Sequence, residues 1–184
     1  MTKFAVVDLE TTGGSAERGR IIEVGIVLLD GLEIVKTYQT LVDPGQSIQP
    51  FVQKLTGITQ EMVEGQVQFS AIAEEISAML EGRVFVAHNV QYDVKFMRTE
   101  LKRAAIKYDP PRLCTVKLAR KFFPGLSSYS LHNLTESLQL PDFNHHRALA
   151  DAMASAEILK LSIQKAGLEK VQKEIRNQPK KLPG

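Results

Sequence analysis

An apolar run that ends in two acids near the N-terminus constrains the fold of this chain more than any other feature. Residues 4–7 read Phe-Ala-Val-Val, and Asp8 and Glu10 follow, separated by a leucine, before a Thr-Thr-Gly turn. A short, valine-containing apolar run that ends in a turn predicts a buried strand. Because side chains two apart in a strand share a face, Asp8 and Glu10 should lie side by side, about 6–7 Å apart along the strand.

Two neighbouring carboxylates at the end of a buried strand need electrostatic compensation. They repel each other, and burial disfavours the charged form of each. A divalent cation would remove both penalties, and a set of oxygen ligands suits Mg²⁺ or Mn²⁺. A D-x-E pattern by itself is more often a strand end that meets solvent, so the metal interpretation depends on the rest of the chain.

The length and composition predict a single globular domain. The chain has 184 residues with ordinary apolar and charged fractions. No apolar run approaches the ~20 residues of a membrane-spanning helix, and the N-terminus enters a strand without a signal peptide. The only cysteine, Cys114, permits no intrachain disulfide. We therefore expect a protein of the reducing cytoplasm.

Positive charge is concentrated in two regions. Residues 160–184 hold seven Lys/Arg and two Glu, a local charge of +5, although the whole chain carries only +2. From Lys95 to Lys121 there are nine Lys/Arg and two acids. Such a region is either a track that faces nucleic-acid phosphates or a solvated helix face, and charge alone does not distinguish them.

The hydrophobic pattern predicts strands first and helices afterwards. Residues 3–8, 20–29 and 33–42 are β-rich, and the Asp-Gly pair at 30–31 predicts a hairpin. Two further short strands are predicted at 84–87 and 112–115. Helical periodicity predicts helices at 51–56, 59–64, 70–80 with Ser70 as N-cap, 90–105, 115–122, 130–138 with Ser130 as N-cap, 147–166 and 168–176. This order indicates an α/β fold, a mixed sheet with helices on both faces and a site at the carboxyl ends of its strands.

Two further blocks place a histidine before an acid. His88 and Asn89 end a predicted strand, and Asp93 follows in the first turn of a helix. His146 precedes Asp151 with the spacing H-x4-D at the start of the last long helix. Each acid alone is an ordinary helix N-terminal residue, favoured by the helix dipole.

Together and in this order, the three blocks resemble the DEDDh group of DnaQ-like 3′–5′ exonucleases. The resemblance covers about residues 3–165 and is strongest to members of the DNA polymerase III epsilon (proofreading) type and their stand-alone relatives. It implies an RNase H-like fold with a mixed five-stranded sheet. It also implies two Mg²⁺ or Mn²⁺ ions and the release of nucleoside 5′-monophosphates.

The resemblance assigns the catalytic positions residue by residue. The family's metal-binding acids fall on Asp8, Glu10, Asp93 and Asp151, and its general base falls on His146. Two ions about 3.5–4 Å apart serve the attacking and the leaving oxygen of a phosphodiester. We expect Asp8 to bridge the ions, and a histidine pKa near ~6.5 suits proton removal at neutral pH.

The same resemblance predicts contacts with the substrate. The candidate residues are Glu10, Thr11, Thr12, Thr56, His88 and Asn89. Epsilon-type members often have histidine where this chain has Thr56, so that position departs from the family pattern. Thr11 and Thr12 also fit simple turn formation, and His88 fits a role in orienting its loop equally well.

The expected function is a metal-dependent 3′–5′ exonuclease that acts on nucleic-acid 3′ ends, with DNA favoured over RNA. RNA 3′-end trimming of the RNase T or oligoribonuclease kind is the alternative within the class. An inactive nucleic-acid-binding adaptor is the alternative outside it. We expect the exonuclease domain to span residues 1–167. Residues 168–184 would form a basic helix and a tail or linker that tethers the chain to a polymerase subunit or another domain.

Overall fold

A computed structural model describes residues 1–141 and 147–177 of the chain. The strands in these ranges are β1 (Lys3–Thr11), β2 (Ile21–Asp30), β3 (Glu33–Leu41), β4 (Val84–Ala87) and β5 (Arg112–Cys114). The helices are α1 (Pro50–Thr56), α2 (Gln60–Val63), α3 (Phe69–Leu80), α4 (Gln91–Arg103), α5 (Thr115–Phe122), α6 (Leu131–Ser137), α7 (Ala148–Ala166) and α8 (Leu168–Gln172).

The strands form one mixed sheet in the order β3-β2-β1-β4-β5. β1, β2 and β3 form an antiparallel meander, whereas β4 and β5 run parallel to β1. The predicted hairpin is confirmed, because β2 and β3 are joined at Gly31, which has a positive φ of 63°. The predicted mixed five-stranded sheet is therefore confirmed.

Alternation along β1 divides the core into two layers. Ala5, Val7 and Leu9 pack in one cluster with apolar residues of α3 and α4. Phe4 and Val6 pack in the other with residues of α5, α7 and α8. Helices therefore cover both faces of the sheet, as the sequence predicted. Because side chains alternate in a strand, Asp8 and Glu10 point to the face that α7 covers.

The helix α7 is the longest of the described helices, with 19 residues. Its buried stripe of Ala152, Ala156, Leu159 and Ile163 has helical spacing and lies in the second core cluster. None of the helices in 1–141 and 147–177 has the length and apolar character that a bilayer crossing requires.

A glycine in β2 lets the start of α7 approach the sheet. Gly25 pairs with Asp8 in the sheet register. A Cβ placed on Gly25 would lie 2.2 Å from the carbonyl carbon of Ala148 and 2.3 Å from the amide nitrogen of Leu149. No side chain fits at such distances. Because Gly25 has none, the first turn of α7 can pack directly against β2 at the residue that pairs with Asp8.

The predicted cap of α3 is wrong. The helix begins at Phe69 with Gln68 at the N-cap, so Ser70 lies inside its first turn. An isolated bridge between Asp43 and Gln68 keeps the chain extended up to the helix start. The cap of α6 is as predicted, because the Ser130 hydroxyl accepts a hydrogen bond from the Asn133 amide. The helices α4 and α8 end earlier than predicted, at Arg103 and Gln172.

We expect Gly25→Ala to destabilise the fold by about 3 kcal/mol, because the new methyl group meets backbone atoms that cannot rotate away. Gly45→Ala is the control, since its Cβ would meet nothing within 4 Å and only the positive φ of 63° opposes it. That variant should lose about 1–2 kcal/mol. Urea unfolding measures both, and equal losses would contradict the close approach of α7.

Candidate active site

Three carboxylates converge on the α7 face of the sheet. Asp8 and Glu10 extend from the end of β1, and Asp151 lies in the first turn of α7. One carboxylate oxygen from each residue lies within 4.8 Å of the others. A set of carboxylate oxygens at this separation fits a hard divalent cation such as Mg²⁺ or Mn²⁺.

Asp93 is the fourth predicted acid and lies beside this group. It occupies the first turn of α4 and is buried, with 4% exposure. Its negative charge is, after burial, the largest cause of the raised pKa of Asp8. Asp93 is not one of the three residues whose oxygens lie within 4.8 Å of one another. It therefore borders the three-carboxylate group from the α4 side.

Burial and mutual repulsion favour the protonated forms of Asp8, Glu10 and Asp93 when no cation is bound. Burial, then the charges of Asp93, Asp151 and Glu10, raise the pKa of Asp8 well above its usual range. Burial and the charge of Asp151 raise the pKa of Glu10 to about 7. Burial raises the pKa of Asp93 to about 8, although hydrogen bonds from backbone N–H groups partly oppose the shift. A divalent cation would therefore displace protons when it binds at neutral pH.

The sheet topology explains why these residues meet. β1 and β4 are parallel neighbours, so their carboxyl ends lie at the same edge of the sheet. α4 starts four residues after β4 and brings Asp93 to that edge. α7 starts there against Gly25 and brings Asp151.

A buried glutamate that the sequence analysis did not single out fixes the start of α7. Glu23 lies opposite Glu10 in the sheet and is fully buried. Its Oε1 accepts hydrogen bonds from Arg147 Nη2 at 2.7 Å and from Gln39 Nε2 at 2.8 Å. Its Oε2 accepts one from the Ala148 amide at 2.9 Å. The carboxylate thus binds the first amide of α7 and the arginine before it.

This arrangement, the Glu23–Arg147 clamp, holds α7 one turn from the metal-binding candidate Asp151. A buried carboxylate is tolerated when it is paired and its lone pairs are used, as they are here. The hydrogen bond to Glu23 raises the pKa of Arg147. The signal in the sequence was an acid inside the apolar run Ile-Ile-Glu-Val at 21–24. An acid in the middle of a buried strand needs a partner.

The predicted substrate residues Thr11 and Thr12 are buried and brace the turn after β1. Thr11 Oγ1 forms a hydrogen bond with the Tyr92 hydroxyl at 2.7 Å and accepts one from the Gly13 amide at 3.1 Å. Thr12 Oγ1 accepts hydrogen bonds from the Arg20 amide and from Gln46 Nε2. Both hydroxyls therefore serve the turn, as one of the two interpretations of the sequence anticipated.

The predicted contacts Thr56 and His88 also have partners within the chain. The buried Thr56 hydroxyl donates to the Val52 carbonyl and accepts from the Ile58 amide. His88 Nδ1 lies 2.9 Å from Thr115 Oγ1, and Nε2 lies 3.1 Å from the Tyr129 carbonyl oxygen. Burial lowers the pKa of His88, so the neutral ring predominates at neutral pH.

Of the two remaining predicted site residues, Asn89 lies among the described residues and His146 does not. Asn89 is exposed beside His88 and has a positive φ of 66°, a conformation that asparagine tolerates. The predicted general base His146 lies outside the described residues, in the segment 142–146. Its assignment remains a prediction from the H-x4-D spacing.

Comparison with known proteins identifies relatives of this chain. Residues 5–159 match the model of an exonuclease family, RNase_T. The 3′–5′ exonuclease DinG of Bacillus subtilis is 41% identical over 152 residues, which are 82% of this chain and 16% of that protein. The chain therefore corresponds to about a sixth of the length of that relative.

A second relative has a length similar to that of this chain. The DNA polymerase III subunit epsilon of Aquifex aeolicus is 40% identical over 156 residues, which are 84% of this chain and 77% of that protein. A solved structure of exonuclease X in complex with 5′-overhanging duplex DNA has a TM-score of 0.70 to this chain at 28% identity. The matched region covers 93% of this chain and 97% of the exonuclease X chain. The predicted RNase H-like exonuclease fold is confirmed.

We expect the metal-free protein to lose stability as the pH rises from about 4 to about 8. Unfolded carboxylates titrate near pH 4, whereas folded Glu10 and Asp93 keep their protons to pH about 7 and 8. The folded state binds more protons in this window, so the free energy of unfolding falls across it, by on the order of a few kcal/mol. Urea unfolding in EDTA at pH 5 and pH 8 measures the loss.

Two aspartate variants and added Mn²⁺ serve as controls for this pH dependence. Asp93→Asn should show a smaller loss between pH 5 and 8, whereas Asp109→Asn, at an exposed position, should keep the full loss. Adding Mn²⁺ at pH 8 should restore stability, because the cation replaces the protons. A metal-free protein that is more stable at pH 8 than at pH 5 would contradict the raised pKa values.

We expect Glu23→Gln to destabilise the protein by about 3 kcal/mol, because a buried charge partner is lost. In a double-mutant cycle with Arg147→Met, the two losses should be non-additive by about 1–3 kcal/mol. The partly exposed pair Glu157–Lys160 in α7, whose Lys160 Nζ and Glu157 Oε1 lie 2.8 Å apart, is the control. Its coupling should be below about 0.5 kcal/mol. Additive losses at Glu23 and Arg147 would show that the clamp does not act as a unit.

Proposed function

This chain belongs to the DnaQ-like family of 3′–5′ exonucleases, and we propose that it hydrolyses phosphodiester bonds at the 3′ ends of DNA and releases nucleoside 5′-monophosphates. The observation that carries this proposal is the group formed by Asp8, Glu10 and Asp151, whose carboxylate oxygens lie within 4.8 Å of one another. Asp93 borders that group and raises the pKa of Asp8. All four acids of the family pattern are thus present on one edge of the sheet.

Two divalent cations, Mg²⁺ or Mn²⁺, are the proposed cofactors. When bound, such a pair neutralises the charge on the phosphoryl oxygens and lowers the pKa of a bound water. Asp8, Glu10 and Asp151 would hold one cation. Asp93, from the α4 side, would serve the other, and Asp8 is the proposed ligand of both. The acids repel one another strongly without cations, and this repulsion favours cation uptake.

His146 is the proposed general base. It would accept the proton of the attacking water, for which an imidazole with an ordinary pKa is suited at neutral pH. The proposal rests on its position five residues before Asp151 and on the family pattern. Arg147, the next residue, is held by Glu23. The clamp therefore anchors the chain directly beside the proposed base.

The 3′-terminal nucleotide would lie beside the turn after β1. The ring of Phe51 is exposed at 65% and lies near Gly13, where a Cβ would approach it to 3.4 Å. Tyr92 is 40% exposed and its hydroxyl bonds to Thr11. Exposed aromatic rings at this turn would offer surfaces on which unpaired bases stack. Glu10, Thr11, Thr12, Thr56, His88 and Asn89 are kept as the proposed surroundings of that nucleotide.

DNA is the preferred substrate because of the relatives. One of them is a subunit of DNA polymerase III, and exonuclease X is seen with duplex DNA. We also propose residues 1–167 as the exonuclease domain and residues 168–184 as the tail or linker that would join the chain to a polymerase subunit. Within that segment Val171 is buried, and Arg176 pairs through its backbone with Arg112 of β5. Any tether therefore starts at the β5 edge.

We expect the purified chain with Mn²⁺ to shorten a 5′-labelled single-stranded DNA one nucleotide at a time from its 3′ end. Asp8→Asn should lower the rate by about 10³-fold or more, because losing cation stabilisation of the transition state costs several kcal/mol. Glu33→Gln, at an exposed position in β3 outside the site, should leave the rate unchanged. Gel analysis of the products measures the step size and the end that is attacked.

The same assay distinguishes the competing functions. An RNA of identical sequence should be shortened more slowly than the DNA, and a faster rate on RNA would favour the 3′-end trimming alternative. Cleavage by wild type no faster than by Asp8→Asn, with binding that persists in excess chelator, would favour the inactive adaptor. Four intact acids are the observation that opposes the adaptor.

A further inference from the structure

A basic cavity lies along α4, separate from the acids. It has a volume of about 750 Å³ and lies between the solvent side of α4, the segment 105–108 and Arg112 of β5. Its lining includes five cationic side chains and no acidic one: Lys95, Arg98, Lys102, Lys107 and Arg112. Val94, Ile106 and Tyr108 supply an apolar floor. None of the proposed metal-binding residues lines the cavity.

Two of these cations have no acidic partner within residues 1–141 and 147–177. Lys95 pairs with Glu17 at 2.8 Å, and Arg98 lies 3.5 Å from Asp109. Lys102 and Lys107 are exposed and form no ion pair with any residue in the described ranges. Like charges gathered on one wall repel one another, so the cavity favours an anion.

The cations on α4 form a row that is longer than one phosphate group. Gln91, Lys95, Arg98 and Lys102 recur at spacings of four, three and four residues, and thus share one side of the helix. The row is about 16 Å long at 1.5 Å per residue, and its three cations span about 10 Å of that length. Gln91 and Arg112 also line a small neighbouring depression with Lys117, Arg176 and one acid, Glu174, so that depression holds three cations and one acid.

The row has a fixed relation to the acids. Asp93 lies in the first turn of α4, between Gln91 and Lys95 in sequence. Lys102 is therefore about 13 Å farther along the helix axis than Asp93. A linear polyanion that has one end at the acids can reach these cations, whereas a single nucleotide at the acids cannot.

We propose that this cavity, the α4 groove, binds the phosphate backbone of a nucleic-acid strand at nucleotides removed from its 3′ end. The proposal extends the proposed exonuclease function, since it concerns the remainder of the same substrate. Lys102 and Lys107 bind phosphate groups, and the apolar floor contacts sugar or base. The groove holds the strand through charge and so without sequence preference.

The test compares two double variants with the same change in net charge. Lys102→Gln/Lys107→Gln removes the unpaired cations of the groove. Lys36→Gln/Lys170→Gln removes two exposed lysines outside it, one in β3 and one in α8. Fluorescence anisotropy with a 5′-labelled single-stranded 30-mer in EDTA, over a range of salt concentrations, measures binding without cleavage. Exposed substitutions of this kind leave stability nearly unchanged, and thermal unfolding checks this.

The groove variant should bind about 10-fold more weakly at 0.1 M salt, and its slope of log K against log salt should be shallower by about 1.4. The control variant should keep the wild-type affinity and slope. An affinity and slope of the groove variant equal to those of the control would overturn the proposal and leave the cavity to an acidic protein segment. This readout needs no catalysis, so a chain that fails to cleave can still confirm the groove.

Kinetics with Mn²⁺ give a second, independent readout. On the 30-mer the groove variant should raise KM about 10-fold with kcat unchanged, because only binding outside the reacting end is lost. On a dinucleotide, which cannot reach Lys102, both constants should equal those of wild type. An equal rise of KM on both substrates would overturn the proposal, since the lysines would then act at the 3′ end.

Discussion

The carboxylates of Asp8 and Glu10 leave the end of a buried strand on one face of the sheet, and the first turns of two helices bring Asp151 and Asp93 against them. This confinement destabilises the folded state when these groups are charged, because both burial and repulsion raise the pKa of Asp8, Glu10 and Asp93. The carboxylate group therefore favours positive charge, which protons supply in the absence of cations and which the proposed divalent ions would supply when bound.

The repulsion between the acids must be opposed by contacts that fix the elements carrying them, and residues of β2 provide such contacts to α7. Gly25 lets the backbone of α7 touch the strand opposite Asp8. Two residues earlier, Glu23 binds Arg147 and the first amide of α7. The glycine sets how near the helix lies, and the glutamate sets where it begins. Stability and the geometry of the carboxylate group are coupled at this point, because the same contacts that anchor α7 position Asp151.

Charges of opposite sign are separated along α4. Asp93 in its first turn belongs to the acidic edge, whereas Lys95, Arg98 and Lys102 line the basic cavity on its solvent side. A nucleic acid is repelled by free carboxylates but attracted by cations, of which Lys102 lies about 13 Å from Asp93 along the helix axis. In the proposed function, this separation would let one helix serve both the reacting end of a polyanion and the remainder of its backbone.

The four acids were assigned by the resemblance to a known family. Local patterns in the sequence determined most of the elements, because strand alternation, helical spacing and turn residues act over a few neighbours. The strands, the hairpin at Gly31 and the long helix α7 followed from such patterns. Tertiary structure alone decided which three acids lie within 4.8 Å of one another and that Asp93 borders them. It also gave Glu23 its partner, 124 residues away in the chain. From the sequence alone, an acid in a buried strand can be predicted to need a partner, but the partner cannot be identified. Contacts between segments distant in the chain form only when the whole sheet and its helices have packed.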